Sequence, residues 1–220
     1  MKWPLVLLRN VKVRTIRGDF VFTDLNLTID PGRTVIVTGP PGSGKTSIAE
    51  LILGVRHPEE GTIELFGETL KKRNVGQMRH FRRKIGGVGG MFGLVPTMTV
   101  AENIALPLVI AGERLRAQKD RLAKVMGEFN LLKLASQYPR TLTRVENTLT
   151  QIARASIAHQ PLLIIDEPSA GLDVKTYLEI CDYMVKVSVS GRSMLILSSD
   201  PPPQQIPDSR QFQIANGRIV

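Results

Sequence analysis

The sequence TVIVTGPPGSGKTS, residues 34–47, decides the fold class of this chain. Its first five residues are all β-branched, which predicts a short strand buried on both faces of a parallel sheet. A glycine-rich loop follows, and after it apolar residues recur at helical spacing as far as Ile52. A strand, a glycine-rich loop and a helix in this order predict an α/β domain that binds phosphate between the strand and the helix.

The loop matches the pattern G-x-x-x-x-G-K-[ST] at Gly39, Gly44, Lys45 and Thr46. Glycines let backbone N–H groups turn towards a phosphate, and the helix N-terminus favours an anion. The motif therefore predicts binding of Mg-ATP, with Lys45 near the β- and γ-phosphates and the Thr46 hydroxyl as a Mg²⁺ ligand. The predicted nucleotide-binding residues are Gly39, Pro40, Pro41, Gly42, Ser43, Gly44, Lys45, Thr46 and Ser47.

A second motif, LLIIDEP, covers residues 162–168. Four apolar residues followed by two acids predict a buried parallel strand with carboxylates at its C-terminal end, where ligands bind in open α/β sheets. We expect Asp166 to hold Mg²⁺, through water, opposite Thr46. Glu167 would then face the γ-phosphate and polarise the attacking water as a general base.

The remaining patterns predict how the chain is organised around these motifs. Alternating apolar and polar residues predict strands before residue 30, and Asn216-Gly217 predicts a hairpin at the end of the chain. Helical spacing at 75–84, 100–111, 115–129 and 145–158 predicts four helices. Five glycines within residues 85–93 predict a mobile loop there.

We therefore predict one α/β domain over residues 1–220, with a P-loop NTPase core whose sheet is mostly parallel. An N-terminal antiparallel β-subdomain belongs to the core, which is expected to cover about residues 1–93 and 161–220. An inserted α-helical subdomain is expected over about residues 94–160.

Composition narrows the partners. The 220 residues carry a net charge of +9, concentrated near residues 71–84 and 114–124, which suits either an anionic partner or a solvated helix face. Aromatic residues make up only 5% and do not interleave with the basic ones, so nucleic acid is an unlikely partner. The single cysteine fits a reducing compartment. No run of about 18 apolar residues occurs, so we expect any membrane role to come through another protein.

Lys45-Thr46, the run IIDEP (164–168) and the run SAGLD (169–173) together resemble the Walker A, Walker B and D-loop motifs of ABC ATPases. The likeness extends over nearly the whole chain, and residues 93–108 are similar to the subgroup of FtsE, LolD and MacB. The resemblance implies a head-to-tail dimer with a second ATPase chain, identical or different, that sandwiches two ATP molecules. It also implies a permease-like membrane subunit docked in a groove, and a place on the cytoplasmic face of the inner membrane.

Four positions depart from the family pattern. The LSGGQ signature falls on LTRVE, residues 142–146, where Thr143 and Glu146 form a predicted capping box but both glycines are replaced. Arg144 either pairs with a phosphate of the opposite subunit or belongs to a plain structural helix start. The Q-loop glutamine falls on Gly90 and the switch histidine on Ser199.

The fourth departure is the aromatic residue that stacks on adenine, which falls near Thr15, with Ile16 or Phe20 as apolar substitutes. The residues that bind the phosphates are thus expected to be intact. Those that in the family sense the nucleotide, at the signature, Q-loop and switch positions, are expected to be replaced. We expect slow hydrolysis by this chain on its own, and a heterodimer in which a partner supplies the intact signature. The alternatives are a non-hydrolysing nucleotide-binding scaffold and, less favoured, a soluble ABC ATPase acting on nucleic acid.

Overall fold

The computed structural model describes residues 3–14, 20–71, 74–202 and 204–220. Its strands are β1 (Val6–Arg14), β2 (Phe20–Ile29), β3 (Thr34–Thr38), β4 (Glu60–Leu65), β5 (Glu68–Thr69), β6 (Ile85–Gly89), β7 (Leu162–Asp166), β8 (Ser193–Ser198), β9 (Ser209–Ala215) and β10 (Arg218–Ile219). Its α-helices are α1 (Lys45–Ile52), α2 (Val75–Arg82), α3 (Val100–Ile110), α4 (Leu115–Glu128), α5 (Arg144–Ile157) and α6 (Val174–Val189). Short 3-10 helices lie at Leu132–Leu134 and Pro139–Thr141.

The main sheet has six strands in the order β10-β9-β3-β8-β7-β6. The five strands from β9 to β6 pair in parallel, and only β10 is antiparallel to its neighbour. All residues of β7 and the first four of β3 are buried, so the predicted burial of these two strands is confirmed. All residues of β8 are buried as well. Because the strands are parallel, the carboxyl ends of β3, β7 and β8 meet at one edge of the sheet.

A second, antiparallel sheet has the order β2-β1-β4-β5. In β2, Leu25, Leu27 and Ile29 are buried, whereas Asp24 and Asn26 are exposed. The apolar face of this sheet packs with α1 and with β3 in one continuous core. The structure is therefore the predicted α/β fold, with a mostly parallel sheet and an antiparallel β-sheet beside it.

The helices between residues 100 and 157 form a separate apolar cluster. Helices α3, α4 and α5 bury Val100, Ile104, Leu108, Met126 and Ile157 against one another. Each of these helices ends within one residue of its predicted limits. Helix α6 was not predicted from the sequence, and it covers the main sheet through Ile180, Cys181 and Met184.

The predicted mobile loop at 85–93 is wrong for its first five residues. These residues form β6, which pairs in parallel with β7 from Ile85↔Leu162 to Gly89↔Asp166. The glycines permit close packing here, because the Phe92 ring lies where a β-carbon on Gly87 would stand. The glycine content thus reflects what packs on the strand, and the pattern was misread as backbone freedom.

The hairpin predicted at the end of the chain is confirmed. Strands β9 and β10 pair through Ile214↔Ile219 and Ala215↔Arg218. Asn216 and Gly217 both have positive φ, 49° and 70°, as a type I′ turn requires. Among the described residues, none of the helices combines the length and the apolar character needed to cross a bilayer.

Candidate functional site

The glycine-rich loop joins β3 to α1 at the carboxyl edge of the main sheet. Gly44 caps α1 with φ 100°, a conformation that brings the loop backbone to the helix N-terminus. Lys45 is only 5% exposed, and its ammonium donates to the carbonyls of Gly39 (2.6 Å) and Pro40 (3.1 Å). This arrangement places a buried cation and the positive end of a helix dipole side by side, which favours an anionic ligand.

Thr46 and Asp166 meet next to the loop. The Thr46 hydroxyl donates to Asp166 Oδ2 at 3.0 Å, although 120 residues separate them in the chain. Burial raises the pKa of Asp166, and the hydrogen bond from Thr46 offsets part of this rise. Asp166 Oδ1 is buried with no hydrogen-bond partner among the described residues. A buried carboxylate oxygen beside a hydroxyl fits the oxygen ligands that Mg²⁺ prefers.

Glu167, the residue after Asp166, contacts both Lys45 and Ser199. Its Oε1 lies 3.1 Å from Lys45 Nζ and accepts a hydrogen bond from Ser199 Oγ at 2.7 Å. Its Oε2 accepts from the Ser199 backbone N–H at 3.0 Å. Burial alone would raise the pKa of Glu167, but the hydrogen bonds from Ser199 and Lys45 outweigh it and lower the pKa. The carboxylate is therefore charged and held in a fixed orientation.

The backbone of Glu167 is also unusual. Its φ is 53°, which is uncommon for a residue with a side chain, and its N–H donates to Leu197 O at 2.7 Å. Such conformations cluster at functional sites, where the surrounding structure imposes them. Here the conformation of Glu167 is held by its hydrogen bond to Leu197 of β8, the strand that lies between β3 and β7.

Gly90, the residue on which the Q-loop glutamine is expected to fall, lies beside Asp166. Its φ is 41°, and a β-carbon built on it would overlap Asp166 Oδ2 and come within 3.2 Å of Cγ. The Asp166 side chain therefore occupies the space into which a side chain at residue 90 would project. The absence of a side chain at residue 90 therefore leaves room for the Asp166 carboxylate in this site.

The capping box predicted at the degenerate signature is present. Thr143 caps α5, accepting from the Glu146 N–H, while Glu146 Oε2 accepts from the Thr143 N–H at 2.8 Å. The Arg144 guanidinium lies against Gly171 and donates to Ala170 O at 3.5 Å. Arg144 thus contacts the SAGLD run of its own chain.

Two sets of residues do not enter this description of the site. The expected adenine-facing positions, Thr15 and Ile16, fall outside the described residues, as does the side chain of Phe20. The three histidines, His57, His80 and His159, are exposed and stand apart from the loop motifs, so they do not contribute to this site.

From the sequence, Ser199 is notable only because a histidine is expected at its position. In the structure it is the main hydrogen-bond partner of Glu167. A signal for this role existed. Ser199 directly follows a buried strand, and the ends of neighbouring parallel strands converge at one edge.

The sequence of this chain is similar to those of known proteins. The family model described as "ABC transporter" matches residues 22–170. The cell division ATP-binding protein FtsE of Bacillus subtilis is 30% identical over 196 residues, which cover 89% of this chain and 86% of that protein. The glutamate transport ATP-binding protein GluA of Corynebacterium glutamicum is 29% identical over 205 residues, which cover 92% of this chain and 84% of that one.

A solved structure extends the comparison to three dimensions. The dimeric, post-hydrolysis form of the ATP-binding cassette MJ0796, bound to ADP and Pi, superposes with a TM-score of 0.84 at 25% identity. The match covers 97% of this chain and 96% of that one. The likeness to FtsE and the α/β cassette fold predicted from the sequence are thereby confirmed. The chain belongs to the ABC transporter family, as one of its ATP-binding subunits.

Proposed function

We propose that this chain binds Mg-ATP in the loop from Gly39 to Ser47 and hydrolyses it slowly. The observation that carries the proposal is a pair of contacts at the loop: Lys45 lies 3.1 Å from Glu167, and Thr46 donates a hydrogen bond of 3.0 Å to Asp166. Lys45 and the α1 N-terminus would bind the phosphates, and Thr46 with Asp166 would hold Mg²⁺, whose charge would offset that of the phosphate oxygens. The family supports ATP binding, and the orphaned Asp166 Oδ1 supports the metal.

Glu167 acts as the general base in this proposal. It accepts a proton from water while the water oxygen bonds to the γ-phosphorus, and the bond from that phosphorus to the bridging oxygen of ADP breaks. The lowered pKa of Glu167 keeps the carboxylate ionised near neutral pH, which is the protonation state that a general base needs.

The test is Glu167→Gln. We expect hydrolysis to fall by about 10²–10⁴, the usual contribution of a general base, while ATP stays bound and stabilises a dimer. Glu179→Gln on α6 makes the same charge change at an exposed, distant position and should leave turnover unchanged. Lys45→Ala should remove ATP binding altogether. If turnover and nucleotide occupancy are the same in Glu167→Gln and the wild type, the base is misassigned.

We further propose that the chain is the degenerate half of a pair of ATPase chains. At the signature position, Arg144 and Val145 stand where the family has glycine, and Arg144 is engaged with the run after Glu167. Replacing both residues with glycine should raise the turnover of a homodimer severalfold. No change in turnover would show that the signature does not limit hydrolysis, and would favour the non-hydrolysing scaffold.

A membrane permease-like subunit is the proposed partner, which places the chain on the cytoplasmic face of the membrane. A cleft of about 550 Å³ lies where α2, β6 and α3 meet, and four arginines and one glutamate line it. Its apolar lining residues include Phe92, Leu106 and Pro107. A cleft lined by both apolar residues and arginines suits a partner segment that is apolar on one face and carries carboxylates.

Arg79→Glu together with Arg83→Glu should weaken co-purification with membrane protein. Lys119→Glu, which reverses an exposed charge on α4 outside the cleft, provides the control. Equal loss of membrane protein in both variants would mean that the cleft is not the docking surface.

The division into a core (1–93 and 161–220) and a helical part (94–160) remains a proposal, supported by the separate apolar cluster of α3, α4 and α5.

A further inference from the structure

Ser199 holds both oxygens of the Glu167 carboxylate. Its hydroxyl donates to Oε1 at 2.7 Å and its backbone N–H donates to Oε2 at 3.0 Å. The pairing of β7 with β8 sets this contact, because Asp166, the last residue of β7, lies opposite Leu197. Strand β8 ends one residue later, so Glu167 and Ser199 each directly follow a paired strand. Two donors from one residue fix the rotation of the carboxylate as well as its position.

We propose that Ser199 is a positioning residue for hydrolysis, which keeps the Glu167 carboxylate aimed at the phosphate-binding loop. This inference rests on the proposed role of Glu167 as the base. It assigns to the hydroxyl and the backbone N–H of Ser199 a role in this chain that follows from their contacts alone.

The contacts of Lys45 indicate at which stage the Glu167 carboxylate depends on Ser199. An ammonium group has three donors, and those of Lys45 point to Gly39 O, Pro40 O and Glu167 Oε1. A phosphate that binds Lys45 must take the place of at least one of these acceptors. When it takes the place of Glu167, the carboxylate loses its ion pair, and Ser199 is what still holds it.

The acceptor capacity of Glu167 is consistent with this role. A carboxylate has about four lone-pair sites, of which Ser199 fills two and Lys45 one. One site is therefore left to accept a proton from water, and a second becomes free when Lys45 turns to phosphate. Ser199 orients the group without saturating it.

The test is a double-mutant cycle on the full chain, with hydrolysis of bound γ-labelled ATP followed in single turnover so that slow rates are measured. Ser199→Ala should lower the hydrolysis rate about tenfold, the lower end of the value of a hydrogen bond to a charged group, and leave the Kd for ATP within twofold. Ser199→Thr, which keeps the hydroxyl, should recover most of the rate. Ser188→Ala removes another hydroxyl hydrogen bond, to Pro207 O at 2.7 Å, and should not change the rate.

The Glu167→Gln background separates the two hypotheses. If Ser199 acts through Glu167, Ser199→Ala should add no further loss there. A full, additive loss in that background, or no loss in the wild type, overturns the positioning role while Glu167 stands as the base. If Glu167→Gln itself hydrolyses ATP at the wild-type rate, or if the wild type does not hydrolyse it, the proposed function fails first and the positioning role fails with it.

A readout without turnover completes the test. In a crystal structure of nucleotide-free Ser199→Ala, the Glu167 carboxylate should rotate towards Lys45 and become less ordered. A carboxylate that keeps its place and its order in that structure would show that the hydroxyl does not position it.

Discussion

Gly90 offers the most direct check on how the acidic side of the site is built. We predict that Gly90→Ala destabilises the protein and weakens Mg²⁺-dependent ATP binding. The added β-carbon would overlap Asp166 Oδ2, so the Asp166 side chain must turn away from Thr46. Gly90→Gln, which introduces the glutamine expected here from the family pattern, should behave no better because it carries the same β-carbon.

The magnitude follows from two contributions. Alanine at a φ of 41° costs about 1–2 kcal/mol, because the left-handed region crowds the β-carbon. Breaking the 3.0 Å hydrogen bond between Thr46 and Asp166 costs about 0.5–1.5 kcal/mol more. The expected loss in the free energy of unfolding is therefore about 1.5–3.5 kcal/mol.

The assay is equilibrium unfolding in urea, paired with ATP titrations with and without Mg²⁺. Gly93→Ala is the matched control, since a β-carbon there meets no atom within 4 Å and its φ is not positive. That control should stay within about 0.5 kcal/mol of the wild type. If Gly90→Ala is as stable as Gly93→Ala and binds Mg-ATP as tightly as the wild type, then Asp166 does not occupy this space and our account of the site is wrong.

Three further predictions test the packing around the site. Burial raises the pKa of the Cys181 thiol to about 11, so a thiol reagent at pH 8 should leave the native chain unlabelled and modify it fully in denaturant; rapid native labelling would contradict the packing of α6. Thr143→Ala should cost about 1 kcal/mol in urea unfolding by removing the cap of α5, whereas Thr143→Ser should be nearly neutral, and equal effects would argue against the cap. The side-chain amide of Asn103 is fully buried; it accepts a hydrogen bond from the Val95 N–H and donates to the carbonyls of Val95, Met98 and Thr99. Asn103→Ala should therefore destabilise the chain by about 2–4 kcal/mol in urea unfolding. A loss below about 1 kcal/mol would mean that these hydrogen bonds contribute little to stability.

Much of the fold was predictable because its signals are local. The β-branched run 34–38, the glycine-rich loop and the helix after it are each specified by neighbouring residues. Helices α3, α4 and α5 were predicted to within one residue, since their apolar positions recur at helical spacing and two of them begin at capping boxes. Helix α6 escaped the same reasoning, although it buries an apolar face at the same spacing.

Residues 85–93 show where local reasoning fails. Five glycines indicated backbone freedom, yet Phe92 packs on Gly87 and Asp166 fills the space next to Gly90. Both contacts depend on what the rest of the chain places beside β6. A glycine that admits a neighbour and a glycine that loosens a loop look the same in the sequence.

The sequence by itself determined the family, the phosphate-binding loop and the identity of the two acids at the carboxyl end of β7, because each depends on residues adjacent in the chain. The tertiary structure decided how those groups work on one another. Ser199 lies 32 residues from Glu167, and Thr46 lies 120 residues from Asp166. Only the parallel pairing of β7 with β8 and of β8 with β3 brings them to one edge of the sheet, where hydrogen bonds and burial set the charge and direction of each side chain.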